Sequence, residues 1–201
     1  MGNLRWILRQ AFYGPWDALH DWRLTGTWLG STAAPVTTGS FYTESTSYIV
    51  LSYLFRRFPI AADDVLVDVG CGRGRVLRWW LSRGLRNRMF GLEINSSIAA
   101  EAQQLVSSFP NAKVITGDAL EHLPEDGTIF YLFNPFHEQG VVALKEKLAH
   151  RANPHRPVRI IYHTACFAHV FQNDPRWDVR IERLPLPLMG DLPLAWIQLR
   201  T

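Results

Sequence analysis

Cysteine is nearly absent. The 201 residues hold two, Cys71 and Cys166, with no CxxC or paired-ligand spacing. That excludes a disulfide framework, argues against a metal site, and suits a reducing, cytoplasmic setting. Long apolar runs are missing too: none approaches the roughly 18 residues that a membrane-spanning helix requires. Charge is sparse, at 19% Asp, Glu, Lys and Arg with a net charge of +3. Disordered chains combine high net charge with low hydrophobicity, and here 47% of residues are hydrophobic. Lysine is scarce, since 18 of the 21 basic residues are Arg, a bias that genome composition explains as readily as phosphate binding. Basic excess is local: residues 63–93 carry six Arg against four acids, and residues 94–140 one Lys against six acids. No broad phosphate footprint is therefore expected, and nucleic acid is disfavoured as a partner. The first sixteen residues lack a signal-peptide layout, because Arg5 and Arg9 interrupt the apolar stretch. Position 6, Trp6, breaks the myristoylation pattern that Gly2 would open.

What is present is aromatic bulk and a repeating alternation. Twenty-five Phe, Trp and Tyr residues supply a core, and the length suits one domain with a short appendage. Residues 1–40 form the expected appendage. Leu4, Ile7, Leu8, Ala11 and Phe12 share one helical face, which is open to three uses: packing on the domain, dimerisation, or lying on a membrane surface. Gly26, Gly30, Pro35 and Gly39 mark a loop after it. Residues 41–201 then read as helix 45–58, strand 64–69, helix 75–83, strand 88–93, helix 96–108, strands 113–116 and 128–133, helix 141–152, strand 158–162, helix 165–171 and strands 178–183 and 194–199. Alternating strands and helices predict an α/β fold with a mostly parallel, Rossmann-like sheet, helices on both faces, and a C-terminal antiparallel hairpin.

The most informative stretch is Val65-Leu-Val-Asp68-Val-Gly70-Cys-Gly72-Arg-Gly74-Arg75. A strand ends, three glycines alternate, and a helix begins, which lets backbone approach a ligand closely. The spacing G-x-G-x-G departs from the dinucleotide fingerprint, with Arg75 where its last glycine would stand. Asp68, two residues before the first glycine, suits a ligand with an ammonium better than one with a pyrophosphate. Glu93 closes the next strand, where an acid reaches ribose hydroxyls. Asp118, in Thr116-Gly-Asp-Ala119, can accept from an exocyclic adenine amine. Asn134, in Phe133-Asn-Pro-Phe136, ends the fourth strand. All lie at carboxyl ends of predicted parallel strands, where open α/β sheets bind ligands.

In that order these motifs resemble those of class I S-adenosylmethionine-dependent methyltransferases, over about residues 41–201. The resemblance implies that Asp68 and the Gly70, Gly72 and Gly74 backbone hold the methionine part of the cofactor. Glu93 would hold the ribose, and Asp118 with the Ala119 N–H the adenine. Upstream, Phe41-Tyr42-Thr-Glu44-Ser-Thr46 before a helix is similar to the non-SET histone lysine methyltransferases and to small protein-lysine methyltransferases. That narrower likeness implies that Tyr42 and Glu44 close over the cofactor. It also implies that Asn134 and Phe136 line the transfer channel and that the acceptor is an amine such as a protein lysine. Two departures stand out: Phe136 occupies the third place of an Asn-Pro-Pro-Tyr motif, and there is no basic tail of the kind nucleosome binders carry.

Two other readings stay open. A small-molecule oxygen or nitrogen acceptor would want a base for a hydroxyl, with His137 and His163 as candidates. A non-catalytic cofactor-binding module would dock on a membrane or partner through residues 1–40. The loop 185–193, with Met189, is expected to be a hairpin connection.

Overall fold

The computed structural model describes residues 2–30, 44–151, 156–184 and 193–200, with residues 2–10 described by their helical backbone alone. Thirteen elements appear among them: α1 (Gly2–Thr25), α2 (Tyr48–Arg57), β1 (Val65–Val69), α3 (Arg75–Ser82), β2 (Arg88–Glu93), α4 (Ser96–Val106), β3 (Ala112–Thr116), β4 (Ile129–Phe133), α5 (Glu138–Ala149), β5 (Arg159–His163), α6 (His169–Gln172), β6 (Trp177–Arg183) and β7 (Pro193–Leu199).

Seven strands form one sheet in the order β3-β2-β1-β4-β5-β7-β6. The first five are parallel, and β7 runs antiparallel to both β5 and β6. The expected hairpin is present, but β7 is inserted between β5 and β6, so β6 forms the edge. β1 is buried along its whole length, as befits a central strand covered on both sides. Side-chain alternation divides the core between the two faces. Leu66, Ile129, Tyr131, Ile161 and Trp196 pack with the α2, α3 and α4 side. Val67, Phe130, Leu132, Ile160, Tyr162 and Ile197 pack with the α5 and α6 side.

α1 departs most from expectation. It runs 24 residues through Pro15, about 36 Å at 1.5 Å per residue. Its expected apolar face was to include Ala11 and Phe12; both are exposed, Phe12 by 60%, while Leu4, Ile7 and Leu8 are outside the described side chains. The buried face carries Tyr13, Asp17 and Asp21 instead, at i, i+4 and i+8. The physical reason is Arg75, the first residue of α3. Its guanidinium meets Asp21 twice, Nε to Oδ1 at 3.0 Å and Nη2 to Oδ2 at 2.5 Å. Asp21 is fully buried and also accepts from the Tyr48 hydroxyl (2.8 Å) and the Leu29 N–H (2.9 Å). Asp17 accepts from the Ser47 hydroxyl and the Tyr48 N–H, supplying a carboxylate at the N-terminus of α2, whose own N-cap Ser47 makes no capping bond.

Other element boundaries shift for local reasons. α2 starts at Tyr48 because Ser45 and Thr46 are used in loop contacts, the Ser45 hydroxyl donating to the Leu29 carbonyl at 2.6 Å. α6 shortens to His169–Gln172 because Thr164, at φ +53°, opens the segment as a tight turn. The loop 185–193 and the boundary expected at residues 40–41 fall mostly or wholly outside the described residues.

Candidate active site

Four strand ends converge above β1 and its neighbours. After β1, Gly70, Gly72 and Gly74 adopt φ of +76°, +52° and +82°, a region that side chains with a Cβ resist. The Gly70 and Cys71 N–H groups both donate to the Leu92 carbonyl of β2 at 2.9 Å. A Cβ on Gly70 would stand 3.1 Å from the Pro135 Cβ, and one on Gly74 3.3 Å from the Ala102 Cβ. The loop is thus pinned between the β4 turn and α4, with Gly74 as N-cap of α3.

Asp68 lies in β1, 3% exposed, and its Oδ2 has no hydrogen-bond partner among the described residues. Burial, reinforced by the charge of Glu93, pushes its carboxyl up to about 8. The neighbouring Cys71 thiol is pushed up as well, chiefly by burial, so it stays protonated at neutral pH. Glu93 closes β2 with both oxygens engaged: Oε2 accepts from the Gly72 N–H and Oε1 from the Asn95 N–H, each at 2.9 Å. It ties the glycine loop to the start of α4.

A small cleft opens over these groups. Glu44, Ser45 and Thr46 form one side, Asp68 and the Gly70-Cys71-Gly72 backbone the floor, and Arg75, Tyr131 and Phe133 further walls. The structure therefore brings Glu44, Asp68, Gly70 and Gly72 together. Several bonds hold the 44–46 segment in place, among them Arg75 Nη1 donating to the Thr46 carbonyl, the Ser45 hydroxyl to the Leu29 carbonyl, and the Thr46 hydroxyl bonded to the Tyr131 hydroxyl at 2.7 Å. Behind this, the Tyr131 hydroxyl meets His163 Nδ1 at 3.1 Å.

Asn134 follows β4 at φ +46°. Its Nδ2 faces Cys166 Sγ at 3.6 Å, and its Oδ1 is sealed from solvent with no hydrogen-bond partner among the described residues. The phenyl group in the cleft is Phe133; Phe136 packs on the α5 side of the core, where a Cβ on Gly140 would touch it at 2.7 Å. Asp118 is exposed beyond β3, its Oδ1 accepting from the Leu120 N–H at 2.8 Å, and Ala119 beside it is buried. Of the two histidines weighed as bases, His163 is 3% exposed and stacked under Phe133 at 4.3 Å between ring centroids. His137 is exposed at the N-terminus of α5. Tyr42 lies outside the described residues. Among the described residues no group of three His, Cys, Asp or Glu could hold a metal ion.

Sequence reasoning passed over Arg75, which lines the cleft, and Asp17 and Asp21, which pair with it. Two acids at i, i+4 in an aromatic helix, and a buried arginine as the first residue of α3, were the available signals.

Residues 66–155 match the family model described as a methyltransferase domain. No curated protein matches the chain. Among solved structures, it is similar to an RNA methyltransferase from Salinibacter ruber in complex with S-adenosyl-L-homocysteine. That match has 20% identity and a TM-score of 0.57, covering 76% of this chain and 91% of that one. It is also similar to an O-methyltransferase from Bacillus cereus in complex with the same product, with 16% identity, 78% and 83% coverage and a TM-score of 0.63. A methyltransferase from Pyrococcus furiosus matches over 95% of this chain and 97% of its own, with 12% identity and a TM-score of 0.65. At these identities the likeness is one of fold.

Proposed function

We propose that this chain, an S-adenosylmethionine-dependent methyltransferase by its matched domain and fold, methylates an amine of the protein-lysine kind. The residues present fit the cofactor. The unpartnered Asp68 oxygen suits an ammonium, and the Cβ-free Gly70 and Gly72 admit a ligand against the backbone. When bound, S-adenosylmethionine supplies an electrophilic methyl group on a sulfonium. Asp68 and Glu44 would hold the cationic end, Glu93 the ribose hydroxyls, and Asp118 with Ala119 the adenine.

The observation that carries the amine reading is Asn134. A carbonyl oxygen buried without a partner costs about 1–3 kcal/mol, and an N–H donor from an acceptor amine removes that cost. The amine must be neutral to attack, against a reference pKa near 10.4, and the apolar wall of Phe133 favours the neutral form by desolvation. A hydroxyl acceptor would need a base instead, and His163 is sealed beneath Phe133 and bonded to Tyr131.

The test is transfer of isotope-labelled methyl to lysine-rich protein, followed by acid hydrolysis and mass spectrometry. The expected product is ε-N-methyllysine. Asn134→Ala is expected to reduce transfer roughly tenfold or more while leaving S-adenosylhomocysteine affinity nearly unchanged. Label found on an oxygen or on a small molecule, or undiminished transfer by Asn134→Ala, would overturn the amine reading.

A further inference from the structure

The buried polar face of α1 leaves an apolar ridge outside. Of the eight large hydrophobic side chains exposed among the described residues, five lie between residues 12 and 28: Phe12 at 60%, Trp16 at 49%, Leu19 at 50%, Trp22 at 61% and Trp28 at 50%. Phe12, Trp16 and Leu19 follow i, i+4, i+7 and form one stripe, with Trp22 at its flank and the exposed Arg23 in line with it. The stripe is about 15 Å long.

Arg23 and Trp28 also border a second cleft, of about 650 Å³, between the end of α1, α3 and α4. Arg73 of the glycine loop and Arg78 of α3 line it, with Glu101 the one acid, paired to Arg73 at 3.0 Å. Arg78 donates Nη2 to the Leu24 carbonyl, while its Nε and Nη1 have no hydrogen-bond partner among the described residues. Three guanidiniums against one carboxylate leave the cleft cationic, next to the apolar ridge and sharing residues with it.

We propose that α1 and the loop after it dock this protein on a bilayer surface rich in anionic phospholipid. The Phe12-Trp16-Leu19-Trp22 ridge enters the interfacial layer, and the Arg23-Arg73-Arg78 cleft takes a headgroup phosphate. Tryptophan has an apolar body and a polar N–H, which suits that layer, and each nearby cation adds attraction to anionic lipid. α1 lies on the surface and does not cross it: no described helix is long and apolar enough to span a membrane. A second copy of the chain fits less well. Five half-exposed side chains offer roughly 500 Å², below the roughly 800 Å² per partner of a standard interface, and a symmetric contact would bring like-charged arginines together.

The docking is separate from the methyl-transfer reading and is tested on the full chain. A truncated chain lacking α1 would strip Asp17 and Asp21 from Arg75, so substitutions are the cleaner perturbation. Cosedimentation uses vesicles of phosphatidylcholine alone and of equimolar phosphatidylcholine and phosphatidylglycerol. The parent is expected to bind the anionic vesicles at least about tenfold more tightly, with a blue shift of tryptophan emission. The double variant Leu19→Asp/Trp22→Asp is expected to lose that binding, and Arg23→Glu to lose the anionic preference. Both keep S-adenosylhomocysteine affinity, which shows that they are folded. The proposal fails if the parent stays in the supernatant with anionic vesicles, or if the double variant sediments like the parent. It fails also if light scattering finds a parent dimer that the double variant dissolves, which would assign the ridge to a second copy.

Discussion

On the proposed role of Asp68 as the partner of the cofactor's ammonium, cofactor affinity should depend on pH in a defined direction. In the ligand-free fold its carboxyl is held up to about 8 by burial and by Glu93. An ammonium ligand binds the ionised form. With a pKa of 8, about one-tenth of the protein is ionised at pH 7 and about one-hundredth at pH 6. The ligand's α-amino group, with a reference pKa near 8, is about nine-tenths charged at pH 7 and more so below it. Affinity for S-adenosylhomocysteine should therefore fall about tenfold, or about 1.4 kcal/mol, for each pH unit below 7. Binding should release close to one proton, measured as heat by titration calorimetry in two buffers of different ionisation enthalpy. Asp68→Asn should bind with little slope, and so should the parent with 5′-methylthioadenosine, which lacks the amino acid. The same shift makes the ligand-free fold less stable as pH rises. The folded carboxyl holds its proton up to about 8 and the unfolded one releases it near 4, so this stability is complete below about 4 and lost by about 8. A parent with constant affinity from pH 5.5 to 7.5, or an Asp68→Asn variant that keeps the slope, would refute the reasoning.

Glu93→Ala removes the acceptor of the Gly72 N–H as well as the proposed ribose anchor. Bonds to a charged acceptor are worth about 1.5–3 kcal/mol, so calorimetry should show S-adenosylhomocysteine affinity falling roughly ten- to a hundredfold. Asp21→Ala leaves Arg75 buried at 5% side-chain exposure with its main partner gone; a loss of about 3–5 kcal/mol is expected, which thermal denaturation should read as a Tm drop of roughly 10 °C. An unchanged Tm would mean that α1 does not hold Arg75 and the 44–46 segment in place.

The sheet was legible because strands buried on both faces, such as VLVDV and IFYLF, read as short apolar runs set between turn signals. The glycine loop was legible because chain geometry alone forces it: alternating glycines between a strand and a helix leave few alternatives. Glu93 and Asp118 could be placed at strand ends without knowing their partners, yet the double engagement of Glu93 by the Gly72 and Asn95 N–H groups could not be seen. The face of α1 was misread for a clear reason. Its apolar periodicity pointed toward Phe12, but a buried ion pair to Arg75, 54 residues distant from Asp21, decided which side turned inward. Local patterns carry no record of such a partner. The Thr46-Tyr131-His163 chain was hidden for the same reason, since its members meet only when α2's approach and two parallel strands are assembled.

The most direct test is a crystal structure with S-adenosylhomocysteine. Its ammonium is expected against Asp68, its ribose hydroxyls on Glu93, and its sulfur facing Asn134 across the cleft bounded by Glu44 and Phe133. Product bound away from Asp68 and Glu93, or with its sulfur turned from Asn134, would contradict that placement.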